Sequence, residues 1–206
     1  MLRAQPPTHR PVWMVVLAAT MLLSGGLNLV GGLLLVRDPW SVELRALHSV
    51  ALAPAAEEAV KKVEPILRDI IQRHRVGLRV DAIASIAFGL FTLYAVAAVL
   101  SRDRNGRRLA LLTAVLGIVY QLGELPLSIQ ISRERVAAAG PLLAEINGAG
   151  GEAAGRWQAE LVATLDAAAA RATLDAAVGV GWCALLLVYF GGRRGRELYG
   201  LLRQSL

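Results

Sequence analysis

Apolar residues in this chain concentrate in four long blocks, residues 12–36, 80–100, 109–132 and 173–191. Each is near the ~20 residues that a helix needs to cross the hydrocarbon layer of a bilayer. Stretches such as VVLAATMLL, FTLYAVAAVL and CALLLVYF are apolar all round a helix and leave no polar face for water. The pattern predicts an all-α integral membrane four-helix bundle with spans at those four positions. Arg3 and Arg10 ahead of VWMVVLAATMLL have the form of a secretory signal. The apolar run continues through Gly25-Gly26 to Val36 and no A-x-A site follows its first block, so an uncleaved first span is expected.

The segments between spans are patterned as well. In residues 37–79, Trp40, Leu44 and Leu47 share one helical face, and Val60, Val63, Leu67, Ile70 and His74 recur at spacings of three or four. Pro65 is expected to start a fresh helix that runs into the second span. In residues 133–172, Trp157, Leu161, Leu165 and Ala168 repeat the same spacing, with Gly140-Pro141 and NGAGG at 147–151 as the expected breaks. Both segments predict transmembrane helices extended into a helical outer cap. Its apolar stripes must be buried against the cap itself, a protein partner or a second copy of the chain.

Composition agrees with the pattern: 55% of the 206 residues are hydrophobic and only 18% are charged, too apolar for an ordinary soluble domain. The net charge of +6 is unevenly placed. Arginines crowd the tail 1–11, the short turn 101–108 and the tail 192–206, which lie on one side of a four-span chain. The positive-inside rule makes that side cytoplasmic, with both termini inside and both long loops outside. The basic residues then serve orientation and attraction to the lipid bilayer; split among three short segments, they do not form a nucleic-acid surface. An Ala, Arg, Gly and Leu bias suggests a GC-rich bacterial genome, hence the bacterial inner membrane.

Polar residues inside the spans stand out against this background. In the third span, Thr113, Gly117, Tyr120, Gln121, Glu124 and Ser128 fall on one stripe. Ser24, Asn28 and Gly32 do the same in the first, Asp81, Ser85 and Gly89 in the second, and Asp175, Gly179 and Cys183 in the fourth. Small residues at such spacing let helix backbones approach closely, so Gly25, Gly32, Ser85, Gly89, Gly117 and Gly179 are expected at helix contacts. Glu124 lies nine residues before Arg133, roughly 13 Å at 1.5 Å per residue, in the outer half of the layer. Asn28, Asp81 and Asp175 are expected at similar depth, with Arg37 and Arg79 as partners for the acids. Pro126 frees the Leu122 carbonyl, an acceptor expected to face the interior.

Two readings of this cluster follow. One is a cavity, open outward, in which Glu124 with Gln121, Tyr120, Asn28, Asp81 and Asp175 takes a cation, a proton or a lipid-like head group. The other is an interhelical hydrogen-bond cluster that sets helix register, with Asp81 and Asp175 as solvated helix starts. At the level of function, these correspond to a small transporter or ligand- and lipid-binding protein, and to an accessory subunit that works through its outer cap. Catalytic and cofactor chemistry has little support. The single Cys183 lies in a span, His9, His48 and His74 lie outside the spans without metal-ligand spacing, and P-loop, GxSxG and HExxH motifs are absent. No cofactor or metal is expected. A loose repeat, offset by about 89 to 94 residues, relates GRRLALL at 106–112 to GRELYGL at 195–201 and Asp81 to Asp175. It would make the bundle two parallel hairpins.

Overall fold

The computed structural model describes residues 12–37, 54–101, 103, 105–149 and 151–199. The segment around Trp40, Leu44, Leu47 and His48 and the two basic tails, with Arg3, His9, Arg10 and Arg203, lie outside the described residues. Six helices follow one another in the described chain: α1 Val12–Arg37, α2 Pro54–Arg73, α3 Arg75–Leu100, α4 Gly106–Ala149, α5 Gly151–Gly191 and α6 Arg193–Leu198. Four of them, α1, α3, α4 and α5, contain a stretch long and apolar enough to cross a membrane. Their outward faces carry large apolar side chains: Trp13, Leu23, Leu27, Ile83, Tyr94, Val119, Val178 and Val188 are all exposed. A soluble monomer exposes far less contiguous apolar surface; in lipid this belt is the solvent-facing side.

The four spans form two hairpins. α1 packs along α3 and α4 along α5, while α3 against α4 joins the pairs. Close backbone approach makes the first pairing possible. A Cβ on Gly89 would stand 2.7 Å from the Gly25 carbonyl oxygen, and one on Gly32 would stand 2.8 Å from the Ala82 carbonyl oxygen. Ser85 then donates across the same seam to the Asn28 carbonyl at 2.8 Å. In the second pairing, Gly117 lies under the Cys183 sulfur and Gly179 under the Gln121 side chain.

At the end where the chain turns through 101–105, the bundle is tightly filled. Met14, Leu17, Met21, Val99, Cys183, Leu186 and Phe190 form one buried apolar cluster from three of the spans, closed by Ala110 and Ala114 of α4. Van der Waals packing of this kind holds helices together in lipid, where burial from water contributes nothing. Arg107 in the basic turn donates through Nε to the Phe190 carbonyl at 2.7 Å, tying the start of α4 to the end of α5.

The opposite end is longer. α4 has 44 residues and α5 has 41, about 60–66 Å at 1.5 Å per residue, roughly twice the hydrocarbon thickness. α2 lies against the projecting part of α4. Val63, Leu67, Ile70 and Ile71 are buried there, so α2 buries its stripe within the cap, while the side chains of Trp157, Leu161, Leu165 and Ala168 lie outside those described.

The breaks differ from those the prolines and glycines suggest. α2 runs through Pro65, and the turn falls at His74, where φ −92° and ψ 8° lie in the sparsely used bridge region. The backbone bonds His74 N to Ile70 O and Leu78 N to His74 O carry the ladder past it. His74 is pinned there by a 3.0 Å bond from Nε2 to Glu134 on α4, with Arg73 and Gln130 also directed at that carboxylate. Likewise α4 continues through Gly140-Pro141, and the chain breaks within NGAGG.

Candidate functional site

Above the packed end the four spans surround a cavity of about 760 Å³. The wall is polar where the four stripes meet. α1 supplies Asn28, α3 supplies Asp81, α4 supplies Gln121, Glu124, Ser128, Ser132 and Arg135, and α5 supplies Arg171 and Asp175. Leu27, Leu78, Leu125, Ile131, Ala172 and Ala176 fill the spaces between them. Five of the six residues read from the sequence therefore share one cavity.

Tyr120, the sixth, is not part of the lining. Its ring stacks on Phe88, with centroids 5.5 Å apart and planes at 19°. Its hydroxyl interacts with Asp81, Ser85 and Glu124, and so spans from α4 to α3 behind the acids.

The amides are occupied differently from a cross-linking cluster. The Asn28 side chain donates back to the Ser24 carbonyl of its own helix at 2.9 Å. Gln121 is folded over Gly179, its amide carbon 2.8 Å from where a Cβ would stand. Inter-span bonding on the α1–α3 seam is carried by Ser85 instead.

Asp81 and Asp175 are not helix starts. α3 begins six residues before Asp81, and α5 begins far upstream of Asp175. Both acids share the cavity with Glu124, whose carboxylate feels the charge of each. Ion pairs join Arg73 to Asp69 and Glu134, and His74 to Glu134, in the cap outside this cavity. Arg37 and Arg79, the expected partners, are exposed and form no ion pair with them. Leu122 and Pro126 lie on the exposed side of α4 and are not in the cavity wall, so the carbonyl freed by Pro126 is not an acceptor for this site.

Arg135, Arg171 and Ser132 belong to the cavity without having been singled out by sequence. The signal was present: Arg135 follows Glu124 by eleven residues, three helical turns, and Arg171 precedes Asp175 by four. It was masked by assigning both arginines to outer loops, whereas α4 and α5 run unbroken through those positions.

The cavity narrows sharply toward the packed end. Below Gln121 lies a void of about 40 Å³ between Met21, Phe88, Gly117 and Cys183. The nearby hydroxyls of Thr92 and Thr113 are bonded to carbonyls of their own helices, at 2.8 Å each. Such a void has room for about one water. In this conformation the arrangement is a blind polar pocket within the spans, suited to holding a ligand.

No protein-family model matches the chain, and neither a curated protein nor a solved structure matches it.

Proposed function

We propose that this chain is a multi-pass membrane protein that binds a small cationic ligand in the polar pocket of its outer half and performs no covalent chemistry on it. One observation carries the reading. Asp81, Glu124 and Asp175 face one cavity, where they outnumber the two arginines, Arg135 and Arg171, that line it with them. The three carboxylates repel one another, and Asp81 and Glu124, half-buried at membrane depth, lose solvation at a cost of at least about 2.5–3.5 kcal/mol each on insertion scales, while Asp175 is exposed. A bound cation offsets both effects.

The other expectation, an accessory subunit docking through its cap, needs free apolar surface. Val63, Leu67, Ile70 and Ile71 are buried within the cap and are not free for a partner, while the stripes of Trp40, Leu44 and Leu47 and of Trp157, Leu161 and Leu165 lie outside the described side chains. By charge the arginine-rich turn is assigned to the cytoplasm, which opens the pocket toward the outside of the bacterial inner membrane.

Native mass spectrometry of the protein in a mild detergent, with sodium, calcium or tetramethylammonium added, tests the reading. The wild type is expected to retain one of these cations, and Glu124→Gln to bind it about tenfold more weakly, the effect of a lost charge-assisted contact. No retained cation, or equal retention by Glu124→Gln, would overturn it.

A further inference from the structure

The pocket has a second feature that a site for a small hydrophilic ion does not need. α1 and α5, the two ends of the four-helix series, are separated by a groove of about 400 Å³ that faces the lipid. It runs along α1 from Thr20 to Asn28 and along α5 from Trp182 to Asp175. Its walls are Leu23, Leu27 and Val178, each at least 64% exposed, with Trp182 at its inner end. Groove and pocket share Leu27, Asn28 and Asp175, so an apolar limb adjoins the acidic chamber across these residues.

We infer that the ligand is a cationic single-chain amphiphile taken sideways from the bilayer, its chain in the α1–α5 groove and its positive head against Asp81, Glu124 and Asp175. The inference rests on the cation-binding reading and adds the ligand's class and its route. The order of surfaces along the membrane normal supports it. The apolar groove lies deepest, the three acids lie where it ends, and Arg135 and Arg171 lie outward of the acids. Arg171, one turn outward of Asp175, repels a positive head that drifts outward, which holds it at the level of the acids. A groove open to lipid along its length admits a chain that never leaves the hydrocarbon layer, and its volume suits one chain. An anionic head would face Asp175 at the groove's outer end, with Asp81 and Glu124 in the chamber beside it.

Trp182 makes the test direct. A variant carrying Trp13→Phe, Trp40→Phe and Trp157→Phe retains Trp182 as its one tryptophan. In phosphatidylcholine nanodiscs, an alkyltrimethylammonium brominated near its chain end is expected to quench Trp182 saturably. Glu124→Gln should weaken this about tenfold. Val178→Phe, which fills the groove, should reduce quenching while leaving tetramethylammonium retention unchanged.

Retention of tetramethylammonium with no saturable quenching by the long-chain probe would overturn this inference and leave the cation pocket standing. Failure of both probes would remove both. Equal quenching by a brominated alkyl sulfate, unaffected by Glu124→Gln, would show nonspecific chain partitioning and also overturn the inference.

Discussion

Replacing Gly89 by alanine tests the packing on which the pocket depends. The added Cβ would lie 2.7 Å from both the Gly25 carbonyl oxygen and the Leu29 nitrogen, against 3.4 Å for ordinary contact. Both neighbours are backbone, so neither can swing aside. α1 and α3 must part by the difference, about 0.7 Å, and a gap of that size forfeits roughly a quarter to a half of each contact's attraction. Overpacking of this kind costs about 1–3 kcal/mol. The same movement stretches the Ser85 to Asn28 bond from 2.8 Å to about 3.5 Å, beyond useful range, at about 0.5–1.5 kcal/mol.

Gly31→Ala is the control, since nothing lies within 4 Å of its Cβ position. Both substitutions gain the same helix propensity, up to about 1 kcal/mol, so their difference isolates the steric effect. Gly89→Ala is expected to be less stable than Gly31→Ala by about 2–4 kcal/mol. The assay is unfolding in mixed dodecyl maltoside and SDS micelles, followed by alkylation of Cys183, the chain's one cysteine and only 7% exposed. Stabilities of the two variants within about 0.5 kcal/mol of each other would refute the close-packed seam.

Ile70→Ala, at a position with no exposure, should destabilise docking of α2 by about 2–4 kcal/mol and speed hydrogen exchange across residues 63–73 while leaving 106–120 unchanged. Unchanged exchange would mean the cap is not held by this stripe. His74→Ala removes the 3.0 Å bond to Glu134 and should loosen residues 70–78 more than Gln130→Ala does; the reverse order would place the anchor elsewhere. For orientation, a cysteine at Ser101 should resist a membrane-impermeant maleimide in intact cells and one at Asp69 should react. The opposite pattern would invert the assigned topology.

Fold class was readable because lipid restricts the options. A run of about twenty apolar residues has no water to satisfy its backbone, so only a helix serves, and helix periodicity then assigns each polar residue to a stripe. Asn28, Asp81, Gln121, Glu124 and Asp175 were legible as cavity candidates on that basis alone. Local grammar misled at Pro65, Gly140-Pro141 and Pro126, because the packing of α2 on α4 and of the long α4 on its neighbours continues helices through residues that weaken isolated ones.

What tertiary structure alone decided was which surfaces meet. Whether Ile70 faces α4 or a partner, whether Asn28 bonds across a seam or to its own Ser24, and whether α1 closes on α5 are questions of inter-helix distance and rotation. Those are set by the Gly25–Gly89, Gly32–Ala82 and Gly117–Cys183 contacts, which draw each hairpin together. Between the hairpins nothing comparable joins α1 to α5 above Thr20, so the space there stays open. Periodicity reports the face a residue occupies on its own helix; the distance to the next helix depends on pairs of residues far apart in the chain.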